Sequence, residues 1–517
     1  LYILLADDAM ISLKYAQNLI HHGQLVWNLG EKVMGITNPG WTLIMAGTML
    51  LPIPRNLAGL PVAALGLIIN LALIYIIYQT LTKSYGNSIA FLLSLWLGVY
   101  MPLVFWSVHG FETAAQTLFI AAATAKILPQ KLSGGKAIAA LPYLWAAYII
   151  RPDAALFIAL LSVAAIILNR NSPLRKKTIL FVCLSGAIIL GTLIAQKLYY
   201  GDWLPNTYYL KSTGGAKSIA GGVVYFAKSL WSDGILPIFA LAMLGIYSWF
   251  RRKNLRAGAL LTAALIAIWS AYIMWTGGDC FPHARFFMPI IPALVFAAAE
   301  GIEFILITHK NPVLDTPIRS AKQMLFACAV GIFFGLLMLW QIANYPDFFG
   351  PDKNRVDRVA VAQYLEKLSL PPGTKIAVFE AGTIPFLLPD FRYIDLLGKN
   401  DRHIARTRAH PGLIGHNKWD FDYSLGKLKP DIICARDNYE NFPDSVAALI
   451  LANAEKFPKN SVFFPSALWI HPEFVRHYRK NRLPIKTPFD THWTFARDEF
   501  FRRHRTLKAQ PPFLLDK

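Results

Sequence analysis

Residues Leu57–Tyr78 read LAGLPVAALGLIINLALIYIIY, 22 residues without a charged side chain. A run of that length and polarity matches one helical crossing of a bilayer's hydrocarbon core. Leu141–Leu168, Ile179–Leu198, Ala257–Trp275, Phe287–Ile307 and Met324–Ile342 are blocks of the same kind. Over 517 residues the chain is 55% hydrophobic and 16% charged, too apolar for an ordinary soluble domain. The expected fold is therefore a polytopic α-helical membrane protein.

Clusters of Lys and Arg mark cytoplasmic loops and so give the orientation. They fall at Lys83, Lys126/Lys131/Lys136, Arg170/Arg175/Lys176/Lys177, Arg251/Arg252/Lys253/Arg256 and Lys310/Arg319/Lys322. Each interval between clusters holds enough apolar sequence for two crossings, which gives about eleven spans. The N-terminus is then cytoplasmic, and Leu1–Leu5 read as the tail of a first span, not as a cleaved signal. Trp41–Pro54 is apolar but short, and is expected to be re-entrant or interfacial, because a full span there would invert every later basic loop. The net charge of +20 would suggest nucleic acid in a soluble protein. Here it is membrane topology that places the basic residues, and no nucleic-acid partner is expected.

The topology sorts the polar motifs. Asp7-Asp8, His109-Gly110-Phe111-Glu112-Thr113, Arg151-Pro152-Asp153, Tyr200–Asn206 and Gly277-Gly278-Asp279 all land on the non-cytoplasmic side. The span interiors are almost free of ionisable residues, whereas an ion-coupled transporter would carry charges near the midplane. An active face at the membrane surface fits this distribution better than a transport path. Of four cysteines, Cys183 and Cys328 sit in apolar runs as packing residues. Nothing in the sequence supports a Cys280–Cys434 disulfide.

Residues 1–344 form the expected membrane module, and 345–517 a second, extracytoplasmic α/β domain. Long apolar runs stop after Asn344, and about 170 residues suffice for one domain. Asp357–Lys367 reads as an amphipathic helix. Lys375–Phe379, Tyr393–Leu396 and Asp431–Ala435 read as buried strands, the first two flanking a Gly-Thr-Ile-Pro turn. The aromatic and basic tail from Trp493 to Arg505 has two readings, a surface for anionic lipid or glycan and a solvated end.

Paired carboxylates at Asp7 and Asp8, where an apolar run ends, either begin a hydrated loop or serve chemistry. Chemistry would mean removing a proton from an acceptor hydroxyl at the bilayer surface. The residues after them have helical spacing, with Ile11, Tyr15 and Leu19 on one side. Asp7 and Lys14 share a helical face, as a surface pair or as a base and a cation for a phosphate leaving group. Gly23–Pro39, with Trp27 and Asn38, suits sugar rings and hydroxyls, and equally suits ordinary turns. Asp7, Asp8 and Asp279 could hold Mg²⁺ or Mn²⁺, which prefer oxygen ligands, while zinc has no ligand pattern here.

These motifs carry a resemblance. Asp7-Asp8-Ala9-x-Ile11-Ser12-x-Lys14-Tyr15-Ala16-x-Asn18-Leu19, then Gly23-x-Leu25-Val26-Trp27-Asn28 and Thr37-Asn38-Pro39-x-Trp41-Thr42-Leu43, resembles the opening of bacterial arabinofuranosyltransferases of the GT-C superfamily. That family includes the mycobacterial terminal β-arabinofuranosyltransferase and the pilin arabinosyltransferases. The motifs at 110–113, 151–153, 201–207, 277–286, 394–406 and 429–432 resemble later parts of the same family, in order. Lys14 stands where Arg is more usual, and Cys280 with His283 is an unfamiliar filling of the Gly-Gly-Asp loop.

The resemblance implies transfer of D-arabinofuranose from a polyprenyl-phosphate donor to a glycan, lipid or pilin-like protein acceptor. The setting is the periplasmic face of a bacterial inner membrane. It also implies that Asp7 or Asp8 is the catalytic carboxylate. Lys14, Arg151 and Arg285 are the candidate cations for the donor phosphate, Arg285 first because Gly277-Gly278 let backbone approach beside it. Glu112, His109, Asp202, Asp279, Trp27 and Asn38 are candidates for sugar or acceptor binding. Asp153 is expected to pair with Arg151. Two alternatives remain: another lipid-linked sugar, a hexose or aminoarabinose, on the same architecture, and a lipid or glycan transporter.

Overall fold

The computed structural model describes residues 5–128, 131–212, 216–281, 283–308, 339–340, 343, 353–410, 412–434, 443–453, 466–486, 491–504 and 513–514. Leu1–Leu4, the Lys310/Arg319/Lys322 cluster, Cys328, Asn344, Arg505 and nearly all of Met324–Ile342 lie outside them. The first part of the chain is helical: α1 (Asp7–His22), α2 (Pro39–Thr48), α3 (Gly59–Val99), α4 (Met101–Val108), α5 (Thr113–Ile127), α6 (Gly134–Ile150), α7 (Ala155–Asn169), α8 (Arg175–Tyr200), α9 (Asn206–Lys211), α10 (Ala216–Ser232), α11 (Leu236–Arg251), α12 (Arg256–Trp275) and α13 (Ile291–Thr308).

Among the described residues, five stretches of helix are long and apolar enough to cross a membrane: Arg55–Val99, Pro152–Asn169, Arg175–Tyr200, Arg256–Trp275 and Arg285–Leu306. Among the described residues the number becomes six if Ser218–Ser232 and Leu236–Arg251, bent by 97°, form one span. The charge pattern also counts α5 and α6, which at 15 and 17 residues are shorter than a full straight crossing. α3 leaves helical geometry at Gly86 (φ 79°, ψ 170°), a backbone region that only glycine enters without strain. α2 has 10 residues, too few to cross, and packs on α1 and α6. The apolar run 141–168 is broken at Arg151-Pro152, because proline cannot continue the hydrogen-bond ladder of α6. Cys183, expected in packing, is exposed on α8.

Two carboxylates, Glu300 and Glu303, do lie inside the stretch Arg285–Leu306. Glu300 of α13 is buried and accepts hydrogen bonds from Ser248 Oγ (2.6 Å) and Tyr85 Oη (3.3 Å), and it pairs with Arg252. It faces a basic loop, so its charge is neutralised at the span's end.

The second part is built on a mixed sheet of six strands: β1 (Lys375–Val378), β2 (Arg392–Asp395), β3 (Ile432–Cys434), β4 (Arg482–Lys486), β5 (Thr491–Ala496) and β6 (Phe513–Leu514). Their order is β2-β1-β3-β5-β4-β6, with β1 parallel to both β2 and β3 and β5 antiparallel to its neighbours. The helices α14 (Lys353–Lys367) and α15 (Thr383–Leu387) pack beside it. One reading of the sequence needs correction: the expected Gly-Thr-Ile-Pro turn opens α15. The tail from Trp493 begins in a strand, β5, and continues through a short helix over Asp498–Arg503. Trp493 pairs with Pro484 inside the sheet, in a strand whose β-branched and aromatic residues suit a pleated surface.

The sheet's core is shared with the start of the chain. Ile11, Tyr15, Trp27, Met34 and Ile36 are buried in one cluster with Tyr364, Ile376, Val378 and Tyr393. Another face of α1, through Leu13 and Ala16, packs on Trp41, Met45, Phe386 and Leu387. α1 is thus held between the helical bundle and the sheet.

Within the bundle, α11 and α13 approach through glycines. A Cβ on Gly245 would stand 1.8 Å from the Ala297 carbonyl oxygen, and one on Gly301 2.1 Å from that of Leu241. Gly191 on α8 has open space around it. Gly245→Ala is therefore expected to lower stability by about 1–3 kcal/mol through overpacking. Gly191→Ala should leave it unchanged or slightly higher, with thermal unfolding of the purified protein as the measurement.

Candidate active site

The two aspartates opening α1 have different surroundings. Asp7 accepts hydrogen bonds from the backbone N–H groups of Gly382 (3.1 Å) and Thr383 (2.8 Å) and from Thr383 Oγ1 (2.9 Å). These donors stand at the N-terminus of α15, where unpaired N–H groups and the helix dipole favour an anion. A Cβ on Gly382 would lie 2.0 Å from the Asp7 carbonyl oxygen, so the approach depends on glycine. Arg358 Nε lies 3.8 Å from the same carboxylate. Asp7 is thereby a clamp between α1 and the sheet region.

Asp8 faces the other way and pairs with the Lys399 ammonium, its side chain 29% exposed and that of Lys399 15%. Burial alone would raise the Asp8 carboxyl. The charge of Lys399 and its hydrogen bond, with Arg285 further away, outweigh that and hold it at about 2. Asp8 is therefore ionised at any physiological pH.

Three further segments close on this pair. One is the loop Gly277–Cys280, whose glycines both have positive φ; a Cβ on Gly277 would meet Ile414 at 2.7 Å and one on Gly278 would meet Tyr225 at 2.5 Å. The second is the stretch 414–416, where burial and the neighbouring charge of Lys399 keep the His416 imidazole down at about 4, hence neutral. The third is the end of α9, where Lys211 is exposed and its side chain lies against Gly415, Cε 3.4 Å from where a Cβ there would stand, next to His416.

Behind Asp8 lies a layer of satisfied ion pairs. Arg285 forms a two-pronged bridge to Asp279, Nε to Oδ2 at 2.6 Å and Nη2 to Oδ1 at 2.9 Å. The guanidinium lies 4.8 Å from the ring centres of Phe111 and Phe281 and 5.4 Å from those of Trp106 and Phe286. Arg151 pairs with Glu112 and with Asp153 (Nε to Oδ2, 2.6 Å), the latter as expected. Glu112 also accepts from Asn38 Nδ2 (2.8 Å), and Asn38 Oδ1 accepts from Ser12 Oγ (3.0 Å) on α1.

Several expected ligand-binding residues are instead occupied by internal contacts. Trp27 Nε1 donates to the Ala381 carbonyl at 2.8 Å, and the neighbouring Asn28 side chain bonds the Tyr393 backbone at the sheet edge. Asp202 bridges Arg402 and Arg406, each at 3.0 Å. Asn206 donates to the carbonyls of Gly398 (2.9 Å), Lys399 (3.1 Å) and Asp401 (3.0 Å), which fixes the loop that carries Lys399. His109 stacks on Phe105 at 3.8 Å, and its carbonyl accepts from Ala6 N (3.2 Å), just before Asp7. Lys14 is 2% exposed and donates to Gln17 Oε1 (3.5 Å); its charged neighbours are Arg55 and Asp390, not Asp7. The expected shared face of Asp7 and Lys14 is thus split between two partners.

Among the described residues no group of three or more His, Cys, Asp and Glu side chains could hold a metal ion. Both oxygens of Asp7 are taken by hydrogen-bond donors and both of Asp279 by Arg285, so the set Asp7, Asp8, Asp279 does not assemble. Sequence reasoning missed Lys399, Lys211 and His416. Lys399 had a weak signal, its place directly after Gly398 in a stretch already singled out.

Residues 349–496 match the model of a domain of unknown function, DUF8728. No curated protein sequence matches the chain. ArnT from Cupriavidus metallidurans in the apo state aligns over 96% of this chain and 95% of its own, with a TM-score of 0.54 at 13% identity. The same protein bound to undecaprenyl phosphate aligns over 87% and 91%, with a TM-score of 0.50 at 13% identity. The oligosaccharyltransferase AglB from Archaeoglobus fulgidus, in complex with an inhibitory peptide and a dolichol-phosphate, aligns over 83% of this chain and 65% of its own. Its TM-score is 0.51 at 10% identity. The likeness shows a fold shared with ArnT and AglB.

Asp279→Asn strands the buried Arg285 charge and is expected to cost about 3–5 kcal/mol. Asp202→Asn, in a more exposed pair, should cost about 1 kcal/mol or less. Chemical unfolding of the two variants beside the parent measures both.

Proposed function

We propose that the chain is an integral-membrane glycosyltransferase that moves a sugar from a polyprenyl-phosphate donor to an acceptor hydroxyl, with Asp8 as the catalytic carboxylate. The carrying observation is the division of the aspartate pair. Asp7 is committed to the α15 N-terminus, while Asp8 is ionised, partly exposed and paired with Lys399 at the junction of bundle and sheet. Support for the donor class comes from the fold: ArnT was seen with undecaprenyl phosphate and AglB with a dolichol-phosphate. The sequence resemblance supplies D-arabinofuranose as the sugar, and a periplasmic glycan, lipid or pilin-like protein as the acceptor.

On this reading the membrane module, residues 1–344, presents the lipid-linked donor at the extracytoplasmic surface of the inner membrane, and residues 345–517 cover it from outside. Asp8 takes the acceptor's proton as the acceptor oxygen bonds to the anomeric carbon. The C1–O bond to phosphate breaks, and its electron pair leaves with polyprenyl phosphate. Asp7 shapes the site by fixing the start of α1 and carries no chemistry.

With synthetic polyprenyl-phosphoryl arabinofuranose and an acceptor panel, Asp8→Asn is expected to abolish release of polyprenyl phosphate, a loss of about a thousandfold or more. Asp7→Asn should keep measurable turnover in the fraction that folds. Equal turnover of parent and Asp8→Asn would remove Asp8 from the chemistry. No release from any lipid-linked sugar would favour the transporter reading.

A further inference from the structure

The donor's phosphate needs a cation, and the three expected ones are not placed to serve. Arg285 has both prongs on Asp279 and its faces among aromatic rings. Arg151 is shared between Glu112 and Asp153, and Lys14 is 2% exposed. Each is sealed or neutralised by the protein itself.

Resting on the glycosyl-transfer reading, we propose that Lys399 and Lys211 form the binding site for the donor's phosphate, Lys399 passing from Asp8 to the leaving phosphate as the sugar is transferred. Lys399 is held by a single carboxylate at a partly exposed position, and a lysine stem is long enough to exchange partners. Lys211 is exposed at the end of α9 and, among the described residues, makes no ion pair. Asn206, at the other end of the same short helix, bonds the Lys399 carbonyl, so the two lysines are carried on elements tied to each other.

The charges balance on both sides of the reaction. Before it, Asp8 and the phosphodiester donor carry one negative charge each, against Lys399 and Lys211. The acceptor O–C1 bond then forms, the C1–O bond to phosphate breaks with its electron pair on oxygen, and the proton moves to Asp8. The phosphate is now doubly negative and Asp8 neutral, so the same two ammonium groups still match it. Neutral His416 and the closed Asp279–Arg285 pair leave this count unchanged. The second negative charge develops in the transition state, where a nearby cation is most effective. The loss of charge on Asp8 also removes what held Lys399 there.

The test uses the full chain in nanodiscs, with undecaprenyl phosphate as probe and uncharged undecaprenol as its control. Lys399→Gln and Lys211→Gln are each expected to weaken undecaprenyl phosphate binding about tenfold to a hundredfold, with undecaprenol binding unaltered. Lys399→Arg should retain most of the affinity, and Lys32→Gln, exposed beside Tyr199, all of it. If Lys399→Gln does not fold, Lys211→Gln decides, since it breaks no ion pair. Parent-like affinity in the folded glutamine variants overturns the assignment while leaving the glycosyl-transfer reading standing. A parent that distinguishes neither lipid overturns both.

Discussion

The grip of the Asp7 carboxylate on the N-terminus of α15 is the contact on which the rest of the arrangement depends. Three donors from Gly382 and Thr383 converge on one side chain 375 and 376 residues away in sequence. An anion at a helix N-terminus is favourable for both partners, and partial burial strengthens it. This joins α1 to the sheet region, and a helix held at its first residue has little freedom at its second. Asp8 is placed by Asp7. The packing agrees: Ile11 and Tyr15 enter the sheet core, while Leu13 and Ala16 face Trp41 and Phe386.

The polar layer behind Asp8 follows a second constraint. Charged groups near a membrane are costly unless paired, and here Arg285 with Asp279, and Arg151 with Glu112 and Asp153, close on themselves. Such pairs give a rigid, low-dielectric back wall against which the few exposed charges act more strongly. Among the described residues in front of this layer, Asp8, Lys399 and Lys211 are partly or fully exposed, contributed by α1, the loop after β2 and α9. A site of this composition exists only where bundle and sheet meet.

The membrane class and the strands at 375–378, 392–395 and 432–434 were legible in the sequence, while the break at Arg151-Pro152 inside the apolar run 141–168 was not drawn from it. The class and the strands follow from local apolar periodicity, the break from proline's missing N–H. The aspartate pair was legible as important, since adjacent carboxylates after an apolar run have few bland explanations. Its division of labour was not, because Gly382 and Lys399 reach Asp7 and Asp8 only through tertiary contact. Trp27, Asn38 and Glu112 make buried internal contacts, and Asp202 bridges two partly exposed arginines, which the sequence did not show. Residue types that bind sugars well also make buried hydrogen bonds well, and only position distinguishes the two uses.

The most direct measurement is a cryo-EM structure of the full chain in a lipid nanodisc with undecaprenyl phosphate bound. The account predicts phosphate density between Lys399 and Lys211, within a few ångströms of Asp8, with Asp7 still bonded to Thr383. Phosphate seated instead on Lys14 or Arg151, with Asp8 turned away from it, would contradict the account.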